Sequence, residues 1–241
     1  MNSKLITLAA LAATLSSPLA AQEEDAPDYG WSGKGEFGLV STSGNTDTQS
    51  INLALEFIYN SEKWRHRLAA SAINAEDDGD TTAKRFDFGA QTDYKLSERS
   101  YVFGALRYEK DDFSAYEDQS TLTFGYGRQL LDNDIHQLKI EGGLGYRTAK
   151  LQETGESESD AIARGLVDWV WQLTPSTDLT ERFLVESGSD NTFIQNDLGL
   201  AVSINSRFAL KLGFQVRHNT DVEDGVDKTD TLTSANLVYK F

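Results

Sequence analysis

No cysteine occurs anywhere in the 241 residues, and there are only three prolines. The first absence excludes a disulfide framework and any thiolate metal site. The second leaves long stretches in which a hydrogen-bonded ladder can run uninterrupted. Cations are scarce as well: 22 Lys and Arg stand against 38 Asp and Glu, a formal net charge of -16. Nothing resembles a basic groove able to replace phosphate counterions, so nucleic acid is set aside as a partner. After the first two dozen residues there is no run of the roughly 20 apolar residues that a membrane-spanning helix needs. The mean hydropathy of -0.44 suits a soluble protein, yet it is a weak guide, because a transmembrane strand hides its apolar face in alternation with polar residues.

What is present begins with a targeting pattern. Lys4 precedes a Leu- and Ala-rich run from Leu5 to Leu15, then a breaker at Pro18 and small residues at Ala20 and Ala21. That order is the order of a secretory signal peptide. Residues 1–21 are therefore expected to be removed, with the mature domain spanning 22–241. No cysteine follows the cleavage point to carry a lipid anchor.

Downstream, apolar and polar residues alternate, and helical spacing of three and four is absent. Phe208, Leu210, Leu212, Phe214 and Val216 interleave with Ala209, Lys211, Gly213, Gln215 and Arg217; Ile51, Leu53, Leu55, Phe57 and Tyr59 do so with Asn52, Ala54, Glu56 and Asn60. Runs between breakers predict strands at 31–42, 48–60, 64–75, 84–96, 100–111, 119–131, 136–150, 161–173, 178–186, 192–204, 208–219 and 230–241. Two are imperfect: the phase slips between Phe103 and Leu106, and Glu181 falls on an apolar face. A bulge would absorb either. Each run is about long enough to cross a bilayer when tilted.

The connections alternate between short turns (Asn60–Lys63, Leu96–Arg99, Leu131–Ile135, Pro175–Thr177, Asn205–Arg207) and longer acidic loops (Ala75–Thr82, Asp111–Asp118, Leu151–Asp160, Thr220–Thr229). Aromatic residues gather near strand ends, among them Trp31, Phe37, Tyr59, Trp64, Tyr94, Tyr101, Trp169, Trp171 and Phe208, as girdles at bilayer interfaces require. The last strand carries Leu237, Tyr239 and Phe241 at every second position and stops on Phe241. That resembles the signal read by the outer-membrane assembly machinery. The expectation is an all-β fold: a transmembrane antiparallel up-and-down β-barrel of about twelve strands in the outer membrane of a Gram-negative bacterium, with ten or fourteen strands also compatible.

A family resemblance lies in the first hairpin. The stretch from Gly38 to Thr48, containing Ser43, Gly44, Asn45, Thr46 and Asp47, is followed one strand later by Lys63, Trp64, Arg65 and His66. It resembles the YdiY-type family of salt-induced outer-membrane proteins, a domain of unknown function. The likeness extends more loosely to Phe241, and the family's name implies induction under salt stress without implying a mechanism. Read from the residues, Ser43 to Asp47 form a tight outer turn, since Gly and Asn accept positive φ. A ligand or divalent cation held by Asn45 and Asp47 is the alternative.

For chemistry, the lumen offers the most. Glu36, Glu56, Arg65, Arg67, Arg85, Asp87, Asp93, Lys95, Glu141, Arg147, Arg164, Asp168, Arg182, Lys211, Arg217 and Lys240 are expected to point inward. Such opposite charges either border a water-filled pore or zip it shut. Catalysis is not expected: His66, His136 and His218 have no Ser two residues away on the same face, and a lipid-modifying enzyme would need a cross-strand Ser–His pair. Asp221, Glu223, Asp224 and Asp227 offer hard oxygen ligands without the order of an EF-hand loop, so no metal or cofactor is assigned. The expected partners are outer-membrane lipid, lipopolysaccharide and, during biogenesis, the assembly machinery. Function is expected to be either passage of small polar solutes or, as the family resemblance implies, envelope support under osmotic stress. A closed barrel whose acidic loops bind a partner or divalent cations is the alternative.

Overall fold

A computed structural model describes residues 29–42, 48–222 and 225–241. The signal-peptide region, the Ser43–Asp47 turn motif, and Glu223 and Asp224 of the acidic loop lie outside the described residues. The strands are β1 (Gly30–Thr42), β2 (Thr48–Asn60), β3 (Trp64–Asp77), β4 (Asp80–Lys95), β5 (Ser100–Asp111), β6 (Tyr116–Asp132), β7 (His136–Leu151), β8 (Ser157–Thr174), β9 (Thr177–Ser187), β10 (Thr192–Ser203), β11 (Phe208–Asn219) and β12 (Thr229–Lys240). Each pairs antiparallel with its chain neighbours, and β12 returns to β1 to close the barrel. The all-β, twelve-strand, up-and-down expectation holds.

The end that carries Tyr29 and Phe241 we call the inner end, and the other the outer end. At the inner end the sequence boundaries and the observed ones agree to within a residue. At the outer end the strands run further than expected: β4 starts at Asp80, β6 at Tyr116 and β8 at Ser157. The acidic segment between Ala75 and Thr82 is therefore largely strand, and the one between Leu151 and Asp160 keeps only residues 152–156 as a connection. Where strands project past the apolar belt both faces meet water, so the alternation that marks a strand vanishes while the ladder continues. Between β3 and β4 only Asp78 (φ 50°) and Gly79 (φ 89°) remain as a connection. Positive φ at both positions is what a two-residue hairpin turn requires.

Neither predicted irregularity becomes a bulge. The pairing of β4 with β5 runs without a shift from Arg85↔Asp111 to Lys95↔Tyr101. Instead Tyr101 and Phe103 point inward, which the apolar pattern alone reads as a slip. Each lies over a glycine of β6, Tyr101 on Gly127 and Phe103 on Gly125, where a Cβ would collide with the ring. Glu181 stays on the outward face, in a continuous β9–β10 register, and its carboxylate accepts a hydrogen bond from the Asn196 side chain.

The outward face is greasy: Leu144 is 73% exposed, Phe124 63% and Leu212 61%. A belt of that kind needs lipid rather than water around it. Rings collect at its inner rim, where Trp31 meets Tyr59, Trp64 meets Tyr94, and Trp169 stacks on Trp171 at 5.7 Å. Tyr101, expected in the girdle, belongs to the lumen instead.

The seam between β1 and β12 is short. Its register covers only Lys34↔Lys240 to Phe37↔Leu237, extended by two main-chain bonds between Gly33 and Phe241. Leu237, Tyr239 and Phe241 all face outward. The Phe241 ring fills the space a Cβ would need at Gly33 and meets Phe57 edge-on at 5.6 Å.

Candidate functional site

The two halves of the lumen are wired differently. In the inner half, ion pairs run along the wall. The Arg65 guanidinium holds Asp93 on the next strand through Nε at 2.7 Å and Nη2 at 2.6 Å. Arg67 Nε donates to Glu56 at 2.6 Å, and Arg182 Nη1 to Asp168 at 3.2 Å, each again between adjacent strands. Lys139 adds a second cation to Asp168 at 3.4 Å. Lys211 reaches Glu36 at 3.0 Å by spanning β12. These charges satisfy one another sideways, whereas Arg85 Nη2 of β4 donates across the lumen to Gln215 of β11 at 2.7 Å. Cavities of about 580 Å³ and 320 Å³ occupy this half, the second bordered by Arg85 and Asp87 as well.

In the outer half the pairs cross the barrel. Arg107 Nη2 of β5 donates to Glu186 of β9 at 2.6 Å. Arg217 of β11 meets Glu109 of β5 from the opposite wall and lies 3.5 Å from Asp111. Phe193 of β10, wholly buried, sits between the two guanidiniums, with Arg107 4.6 Å and Arg217 5.2 Å from its ring centroid. Leu166 and Leu184 pack against the same ring. A cation over an aromatic face in a desolvated setting is worth about 2 kcal/mol, and here one ring serves two cations that each also hold a carboxylate.

Outward of this layer, Arg147 Nη2 donates to Asp160 at 3.2 Å and to the Asn191 carbonyl at 3.1 Å, and Asn191 donates to Asn219 at 2.8 Å. Gln119 is buried beside them. The mouth is then covered: Val222 and Val226, from the connection between β11 and β12, pack on Ala115, Tyr116 and Ala149 of the far wall. The Tyr116 hydroxyl lies 3.5 Å from the Asp221 carbonyl.

Between the halves, Glu141 is a hub. It is 5% exposed and accepts hydrogen bonds from Tyr101 Oη at 2.8 Å, Gln91 Nε2 at 2.9 Å and Arg164 Nη1 at 2.8 Å. Arg164 in turn lies 4.9 Å over the Phe103 ring, and Arg65 5.0 Å over Tyr101. The two inward aromatics thus seat the arginines that flank the hub.

The sixteen charged residues expected to point inward do not form one set: Asp93 lines the inner cavity beside Arg65, Lys95 donates to Asn60 and the Ser61 carbonyl at the inner rim, and Lys240 is exposed at the inner end of β12. Glu36, Glu56, Arg65, Arg67, Arg85, Asp87, Asp168, Arg182 and Lys211 border the inner cavities. Arg147 and Arg217 are packed into the outer half, and Glu141 and Arg164 lie between. Sequence reasoning passed over Arg107, Glu109, Glu186 and Phe193. The spacing of Arg107, Glu109 and Asp111 at every second position was a usable signal, and Phe193 shares its phase with the inward Gln195 and Asp197.

The histidines are elsewhere. His66 Nδ1 pairs with Thr92 at 3.0 Å and His218 Nδ1 with Thr229 at 2.8 Å, both on the outward face, while His136 stacks on Trp169. The hydroxyl each of the first two finds is a threonine.

Comparison with known proteins follows the same lines. The family described as "Protein of unknown function, DUF481" matches residues 35–241. The uncharacterized protein YdiY of Escherichia coli (strain K12) is 27% identical over 203 residues, covering 84% of this chain and 80% of that protein. Among solved structures, an outer membrane channel from Pseudomonas putida F1 superimposes with a TM-score of 0.53 at 11% identity, covering 92% of this chain and 99% of its own. The NanC porin gives a TM-score of 0.49 at 10% identity, covering 87% and 97%. At 11% identity the likeness to the Pseudomonas putida F1 channel is one of fold.

Proposed function

Since the chain belongs to the DUF481 family, whose function is unknown, we propose its role from geometry: a narrow outer-membrane channel for small polar solutes, entered from the inner end and held shut at the outer end. The observation that carries this reading is the change from wall-parallel to cross-barrel ion pairs at the Phe193 layer. Below it, charged side chains border open volume that reaches up to Arg107. At it, Arg107 and Arg217 converge on the Phe193 ring. A barrel built only for rigidity gains nothing from leaving one half hollow.

The test is ion conductance of the purified mature protein in planar bilayers. The native barrel is expected to stay closed for most of the record, and Phe193→Ala to give frequent, stepwise openings. If a folded Phe193→Ala barrel is as silent as the native one, the channel reading fails. The second reading, a closed barrel that supports the envelope, is favoured by the burial of Phe193, Arg217, Glu109 and Glu186 in that same layer and would then stand.

A further inference from the structure

The charge around one cavity runs against the composition of the chain. With 38 acidic and 22 basic residues overall, the volume of about 210 Å³ just beneath the Phe193 layer is bordered by four guanidiniums, Arg67, Arg107, Arg164 and Arg182, and one carboxylate, Glu186. The remaining partners of these arginines do not border it. Glu56 holds Arg67, Asp168 holds Arg182, Glu141 holds Arg164, and Glu109 holds Arg107 at 2.9 Å, each from behind. Each guanidinium is thus braced by a carboxylate outside the cavity that engages only some of its five N–H groups. Ala69, Gly89 and Ala105, on β3 to β5 beside Arg67 and Arg107, take up little of the space, and Thr121 and Thr123 line it as well.

We propose that this four-arginine chamber binds a small organic carboxylate. A planar guanidinium presents paired N–H donors whose spacing matches the two oxygens of a carboxylate. Cations gathered in a recess with low-dielectric walls concentrate anions in it. The volume admits a solute of a few heavy atoms and its water. The site rests on the channel reading only in that a bound anion would pass on through the barrel; binding itself needs no conduction.

The experiment is titration calorimetry of the full-length mature protein in detergent at low ionic strength, with sodium succinate as the probe and tetramethylammonium chloride and sodium phosphate as comparison salts. Saturable heat is expected for succinate, none for tetramethylammonium, and weaker binding for phosphate. Deleting one arginine alone would orphan its carboxylate, so the variants remove both members of a pair: Arg67→Gln with Glu56→Gln, and Arg182→Gln with Asp168→Asn. Each double variant is expected to weaken succinate binding about tenfold or more, while Lys228→Gln in the outer connection leaves it unchanged.

If a double variant does not fold, Arg182→Lys carries the test, since it keeps the charge, loses the fork and should weaken binding severalfold. Absence of saturable binding, or binding that folded variants do not alter, overturns the proposal, and phosphate binding as tightly as succinate overturns the carboxylate assignment. A barrel that binds succinate but never conducts, even as Phe193→Ala, would lose the channel and keep the site. One that conducts but binds no succinate would do the reverse.

Discussion

Arg217 and Glu109, on strands β11 and β5, meet across the full width of the barrel, 5% and 1% exposed at their side chains. An ion pair so placed is a crossbar. Both charges have left water, and the other cation on Glu109, Arg107, is shared with Glu186, so removing Arg217 alone leaves an excess of buried carboxylate and costs more than removing both. Arg217→Ala is expected to destabilise the barrel by about 3–5 kcal/mol, whereas the double variant Arg217→Leu with Glu109→Leu should cost clearly less. Urea unfolding in lipid vesicles, read by tryptophan fluorescence, checks both.

Phe193 has no exposed surface and carries two guanidiniums on its ring. Phe193→Ala opens a cavity and strips both cation contacts, with an expected loss of about 3–5 kcal/mol. Phe193→Leu keeps most of the volume and removes only the ring electrostatics, so its loss should be nearer 1–2 kcal/mol. The same unfolding measurement separates the two terms.

The phenol end of Tyr101 lies against Gly127, and a methyl at that position would collide with its Cζ, Cε2 and hydroxyl. Gly127→Ala should displace the ring, break its hydrogen bond to Glu141 and cost about 1–3 kcal/mol. Shrinking the ring in the double variant Gly127→Ala with Tyr101→Val should recover part of the loss. A Gly127→Ala barrel as stable as the native one would show that the inward ring does not need the glycine.

The native chain has no cysteine, which makes a single engineered thiol a clean reporter of the covered mouth. Gln119→Cys should resist a membrane-impermeant maleimide, because Val222 and Val226 pack over the mouth. Adding Val222→Asp and Val226→Asp should make it react at least about tenfold faster, since two charges held in an apolar contact favour the lifted loop. Equal rates would show that the connection does not shield the lumen.

Period two made the strands and their faces legible, because the lipid side is apolar at every second residue from Ile51 to Tyr59 and from Phe208 to Val216. It failed at the outer ends, where neither face is buried in lipid, and at Tyr101 and Phe103. Their inward turn depends on Gly125 and Gly127, more than twenty residues away, and only the β5–β6 register brings them together. Which charges would meet was likewise beyond the sequence. Arg217 is 108 positions from Glu109 in the chain, and nothing local marks them as partners.

The four-residue seam between β1 and β12 joins the most distant parts of the described chain, with Lys34 opposite Lys240. Closing a loop that long costs configurational entropy that no local contact repays until the other eleven ladders already hold the edges in place. Circularity is therefore a cooperative property of this fold. No pair of neighbouring strands contains it, and loosening the seam would turn a ring into an open, twisted ribbon with two unsatisfied edges facing hydrocarbon.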